Sequence, residues 1–135
     1  MNQETIAVMQ ECSTRSHAGN IPFPQVVRKL AEAGVERYHA DLYRGERTYY
    51  LPCGASHKDV VGAEAEPIAE EFSEAGVVAA LRTIQRGEIL YLEFLRRIQA
   101  AGCTGYFVLI AGRRALYFGR KSEVYVELFP AASAK

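Results

Sequence analysis

The apolar positions of this chain change period twice, in the same order each time. In residues 3–16, Ile6, Met9 and Cys12 recur at helical spacing and predict a helix with one core-facing stripe. His17-Ala18-Gly19-Asn20 breaks it. A second helix starts near Pro24, a residue tolerated in a first turn, and Val26, Val27, Leu30 and Ala33 make its stripe. Gly34 is its stop: a glycine there can turn left-handed, and Val35 can then fold back on Leu30. Over residues 36–43 the period becomes two. Tyr38, Ala40 and Leu42 alternate with Arg37, His39, Asp41 and Tyr43, which predicts a half-buried strand. Arg44-Gly45 is a turn, residues 46–51 return as an aromatic-rich strand, and residues 55–61 form a third, weaker strand after Pro52-Cys53-Gly54.

The pattern then starts again. Residues 62–67 are an acidic connector, and residues 68–72 predict a short helical turn. Ser73 is placed to cap a helix over 74–85 that buries Val77, Val78, Leu81 and Ile84. After Arg86-Gly87-Glu88 a fourth helix covers residues 90–101, with Leu92 or Tyr91 and Phe94, Leu95 and Ile98 inward and Gly102 as its stop. Strands follow over 104–110, 114–118 and 123–129. In the last, Val124, Val126 and Leu128 alternate with Glu123, Tyr125 and Glu127, so it has one wet face. The small-residue tail after Pro130 is expected to be poorly ordered.

Residues 87–119 lie on residues 19–51 without a gap, at an offset of 68 (102 − 34). Phe94, Leu95 and Ile98 meet Val26, Val27 and Leu30; Tyr106 meets Tyr38, and Tyr117-Phe118 meets Tyr49-Tyr50. Hairpins inside each half favour antiparallel pairing, and helices that must cover an apolar sheet face favour two layers. The expected fold is therefore α+β: a two-layer sandwich built from an internal duplication of helix-helix-strand-strand-strand, with an antiparallel sheet covered by helices. The repeats run over 3–61 and 74–129 inside a single domain, 1–135, with the two half-sheets joined or packed together.

Composition changes this picture only by exclusion. The 135 residues are 49% hydrophobic and 24% charged, an ordinary globular balance. Three scattered cysteines, Cys12, Cys53 and Cys103, argue for a reducing compartment and against a disulfide framework. The N-terminus lacks a basic segment followed by an apolar one, and the longest apolar run, 106–111, is too short to span a bilayer. A cytoplasmic protein without membrane partners is expected. Sixteen basic residues balance sixteen acidic ones, yet residues 82–121 hold eight basic against two acidic. That asymmetry reads as an anion-attracting end, a head-to-tail contact or plain solvated surface. Nucleic acid is not expected as a partner, since no recognisable motif accompanies the basic half. Cofactors and metals are not expected either: there is no phosphate loop or dinucleotide fingerprint, and Cys53 and His57 stand four apart with the other ligand types scattered.

Two groups of residues are candidate binding positions. His39, Asp41 and Tyr43 share one strand face, with Arg47, Tyr49 and His57 able to reach it from neighbouring strands. His39 with Asp41 could serve as a general acid/base pair, or could be the wet side of an antiparallel sheet. The repeat places Phe107, Leu109 and Ala111 at the matching positions. A strand apolar on both faces is covered on both, by the other half of the chain, by a ligand or by another subunit. The favoured expectation is a non-catalytic protein that binds a protein partner or small ligand as a homodimer, with Phe107 and Leu109 in the contact. A His39/Asp41 enzyme and nucleic-acid binding through the basic half are the alternatives.

The stretches FPQVVRKLAEAGVERYHADLYRGERTYYLP, IAEEFSEAGVVAALRTIQRGEI and RIQAAGCTGYFVLIAGRRALYFGRKSEVYVELFP resemble the YdfO-like (YbcV-like) family over nearly the whole chain. These are small bacterial proteins, several encoded in prophages and some labelled phage envelope protein. The resemblance implies no activity and no catalytic residues, because the family has none assigned. The envelope label fits poorly with a chain that shows no export signal.

Overall fold

Each of the two central helices ends where its glycine says it should. A computed structural model describes residues 1–61 and 67–130. In it α1 (Gln3–Ala18) starts on Asn2, whose side-chain oxygen accepts from the Thr5 N–H, and α2 covers Phe23–Glu32. α3 (Glu74–Gln85) starts on Ser73, whose hydroxyl accepts from the Gly76 N–H at 3.0 Å, and α4 covers Tyr91–Ala100. Past α2, Gly34 takes φ 88°, its N–H reaches the Ala31 carbonyl, and the Val35 N–H reaches the Leu30 carbonyl at 2.9 Å. Past α4, Gly102 takes the same φ, and Cys103 repeats the bond to Ile98 at 2.9 Å. Both are Schellman caps, satisfying carbonyls the helix leaves open.

The strands are β1 (Arg37–Asp41), β2 (Glu46–Tyr50), β3 (Ser56–Val60), β4 (Gly105–Leu109), β5 (Arg114–Phe118) and β6 (Val124–Leu128). They form one antiparallel sheet in the order β3-β2-β1-β4-β5-β6. The order runs outward alike on both sides of the β1–β4 seam. Matching strands are offset by one number (105 − 37 = 114 − 46 = 124 − 56 = 68), and so are α2 and α4 (91 − 23 = 68). The fold is α+β, with helices against one face of the sheet. That face carries Tyr38, Ala40, Tyr49, Tyr106, Val108, Ala115 and Tyr117, packed with Met9, Cys12, Val26, Leu30, Val77, Leu81, Phe94 and Ile98 from the helices. Each large apolar side chain so buried contributes roughly 1.5–3 kcal/mol.

Three expectations need correction or limits. Residues 68–72 are not helical. The segment runs along the end of α4 with a bend at residues 70–71, where the Ala69 N–H donates to the Gln99 carbonyl and the Ser73 N–H to the Ala101 carbonyl at 2.7 Å. Open helix-terminal carbonyls capture the chain that passes them. The first strand stops at Asp41, not 43, because the Asp41 carboxylate accepts from the N–H groups of Tyr43 and Arg44 at 3.0 and 3.1 Å. Such a side-chain turn competes with the strand ladder. Most of the acidic connector, residues 62–66, and the tail, 131–135, lie outside the described residues.

The wet face of β6 is turned inward. Tyr125 and Glu127 stand opposite Tyr117 and Ala115, on the helix side, and the Glu127 carboxylate accepts from Arg82 Nη1 (2.7 Å), Gln85 Nε2 (3.0 Å) and Tyr125 OH (2.6 Å). Burial raises this carboxyl's pKa, but hydrogen bonds from Arg82, Tyr125 and Gln85 outweigh it and hold the group below the ordinary carboxylate range. A depressed folded-state pKa contributes stability that is present above the unfolded value and lost as pH falls through the folded one. Acidification from about pH 5 to about pH 3 should therefore lower the melting temperature more steeply in the wild type than in Glu127→Gln. Parallel melting curves against pH, read by circular dichroism, would show that this group carries no such linkage.

Candidate functional site

The sequence-predicted site residues separate onto opposite sides of the sheet. Directly opposed residues of an antiparallel pair share a face, and β1 pairs with β2 as His39↔Thr48, Ala40↔Arg47 and Tyr38↔Tyr49. Arg47 and Tyr49 therefore belong with Tyr38 and Ala40 under the helices, and the expectation that they join His39 and Asp41 is corrected. His57, opposite Tyr49, goes inward too.

On the open face His39 stacks on Phe107 with ring centroids 4.6 Å apart. Burial lowers its pKa, against the pull of the Asp41 charge. The Asp41 carboxylate serves the turn, and among the described residues no hydrogen bond joins it to His39. Tyr43 lies in that turn, 56% exposed, with the Arg120 guanidinium 5.7 Å from its ring. Phe107 and Leu109 stand with Leu116, Phe118, Val124, Val126 and Leu128 on the β4–β6 half of this face. The β1–β3 half carries Arg37, His39, Asp41, Glu46, Thr48, Lys58 and other residues. The open face is thus split into an apolar and a mainly polar half.

Under the helices, Arg47 is 2% exposed. Its guanidinium lies 5.0 Å from the Tyr38 ring centroid and 5.1 Å from that of Tyr91. Nη1 donates to Tyr49 OH at 3.3 Å, and Nε is buried with no acceptor among the described residues. Burial opposes the charge, but the tyrosines, Tyr91 first, favour it, and an arginine does not give up its proton in a protein. Asp59, across the ladder, is linked to Arg47 only through two hydroxyls: Tyr49 OH meets Ser13 Oγ at 2.7 Å, and Ser13 Oγ donates to Asp59 at 2.8 Å. The other Asp59 oxygen meets His57 Nε2 at 2.7 Å. In that Ser-Asp-His order the carboxylate stands between hydroxyl and imidazole, so the imidazole does not reach Ser13 and the set is not a Ser-His-Asp triad. Cys12 and Cys103 are buried as well, and burial raises both thiols, Cys103 to about 11.

A cavity of about 140 Å³ lies beside Arg47, between α4 and the β1–β2 turn. Tyr91, Leu95 and Gln99 from α4, His17 from α1 and Leu42 from the turn line it with Arg47; Leu92, 39% exposed, and Arg96 stand at its rim. Arg96 pairs with Glu93. Other charges of the basic half are also engaged: Arg82 with Glu127, Arg86 with Glu88, Lys121 with Glu71, and Arg120 with the Ile68 carbonyl. Gln99 and His17 carry no signal in the sequence pattern, and Tyr91 is marked there only as an alternative to Leu92 on the buried stripe; the even number of residues in the β1–β2 turn is the clue that would have turned Arg47 inward. No helix among the described residues is long and apolar enough to cross a membrane, and no three described His, Cys, Asp or Glu side chains cluster to hold a metal ion. No protein-family model matches this chain, and no curated protein matches it significantly.

Proposed function

We propose that this chain is a non-catalytic cytoplasmic binding protein of the YdfO-like kind that works as a homodimer through the apolar half of its open sheet face. The observation that supports this is the placement of Phe107, Leu109, Leu116, Phe118, Val124, Val126 and Leu128 on one side of β4–β6, with the helices on the other. Val124, Val126 and Leu128 are 46%, 41% and 62% exposed. An apolar patch of this kind marks a contact surface. A second copy fits it because a twofold axis through the patch lays apolar half on apolar half and leaves both polar halves in water. A head-to-tail stack would instead press the apolar half onto Arg37, Asp41 and Glu46.

Leu116→Asp tests it. Leu109 is flanked across the sheet by Arg37 and Arg114, which would neutralise an aspartate; Leu116 lies between Phe107 and Val126. A charge buried there costs several kcal/mol, weakening the dimer by roughly a hundredfold or more. Light scattering should show a wild-type dimer and a monomeric Leu116→Asp with unchanged far-ultraviolet circular dichroism. A wild type that stays monomeric at high concentration removes the dimer.

A further inference from the structure

We propose that the cavity beside Arg47 is a binding site for a small monocarboxylate with a short apolar or aromatic body. The guanidinium has five N–H donors in a planar fork. Tyr49 takes Nη1, and among the described residues neither Nε nor Nη2 has an acceptor. Nε has no accessible surface, so the donor that a ligand in the cavity reaches is Nη2, which offers a carboxylate oxygen one charge-assisted hydrogen bond. The rings of Tyr38 and Tyr91 stabilise the cation but accept none of these protons in the ring plane. A buried cation without a counter-charge is costly, and an anion seated on Nη2 supplies that charge and an acceptor.

The walls define the rest of the ligand. Gln99 is 4% exposed, and its side-chain amide has no hydrogen bond to any described residue, so it can serve one carboxylate oxygen or a polar substituent. Tyr91, Leu42, Leu92 and Leu95 offer an apolar lining. The volume, about 140 Å³, is on the scale of cavities that admit one aromatic ring, roughly 150 Å³.

Charge decides between a monoanion and a dianion. The carboxylates on the wall are already engaged: Asp41 with the turn N–H groups, Glu46 with Arg44 and Lys58. Burial and then the charge of Arg47 push the His17 imidazole below its usual value, so it adds no charge at pH 7. Among the described residues, Arg47 is therefore a cation of the cavity without a paired carboxylate. A monocarboxylate neutralises it, whereas a phosphate dianion brings a second negative charge toward Asp41 and Glu46.

The test is a thermal-shift and calorimetric titration of the full chain with acetate, butyrate and benzoate, each against its own amide, and with inorganic phosphate. At least one acid should bind saturably while its amide does not, and at a hundred times its Kd should raise the melting temperature by about 10 °C. Arg47→Met should lose this response while melting no lower than the wild type, since an apolar side chain of similar length in place of a buried cation is neutral or stabilising. Arg47→Lys, which keeps the charge but not the planar fork that brings Nη2 to the cavity, should bind at least about tenfold more weakly and decides the matter if the methionine variant does not fold. Equal responses to acid and amide, a response to phosphate alone, no response to any acid, or wild-type affinity in Arg47→Lys would each overturn the proposal.

Discussion

Gly102→Ala is expected to lower the unfolding free energy by about 3 kcal/mol or more, and Gly34→Ala by only about 1–2 kcal/mol. The two glycines close the same cap at the same φ of 88°, so the left-handed penalty is common to both. Their surroundings are not. A Cβ at residue 34 meets nothing within 4 Å, whereas one at residue 102 would stand 2.3 Å from the Glu71 carbonyl oxygen and 2.8 Å from the Phe72 Cα. Those are main-chain atoms of the segment that caps α4 through Ala69 and Ser73, so they cannot swing away as a side-chain tip would. Relief requires moving the segment and giving up the bond from the Ser73 N–H to the Ala101 carbonyl. Urea midpoints measure the difference. Equal losses at both positions would mean that the segment yields freely and the close approach is unimportant.

Leu30→Ala and Ile98→Ala should each cost about 2–5 kcal/mol, a large share of the roughly 5–15 kcal/mol that holds a domain together. Both side chains are 0% exposed, and the two residues are separated by the same offset as α2 and α4 (98 − 30 = 68). The cap bonds to their carbonyls survive the change, since alanine keeps its backbone and favours the helix. The loss is therefore that of the buried methyl groups and of the void left behind. A loss below about 1 kcal/mol at either site would show that the core collapses around it instead of leaving a void.

What the sequence disclosed was whatever is decided within a few residues. The caps at Gly34, Gly102 and Ser73 were legible because their donors and acceptors lie three to five positions apart. The strands were legible through their alternation, and the equal offset of their positions through the match of residues 87–119 to residues 19–51. The face each strand presents was not, because that depends on register. A four-residue turn between Asp41 and Glu46 makes odd residues of β1 share a face with even residues of β2. Reading odd with odd put Arg47 and Tyr49 in the water; one position moves them into the core. The inward face of β6 was hidden by its polarity instead: Tyr125 and Glu127 look like the wet side, and Glu127 finds Arg82 only across forty-five residues of chain. The cavity was less legible still, since Tyr91 and Gln99 reach it from α4, which packs on the first half only after the two halves have met.

The seam between β1 and β4 also bears on how the molecule assembles in time. The other four strand pairings join consecutive strands through connections of a few residues, and such hairpins close within microseconds. The seam joins residues as distant as Arg37 and Leu109, so its loop must close before any of its five registered pairs contributes. Two quick local meanders and one slow long-range docking are the natural order of events. Between them the chain would show two sheet edges, β1 and β4, that the native state conceals. Those hidden edges, rather than β3 and β6, are the surfaces on which a crowded chain could pair with the wrong neighbour.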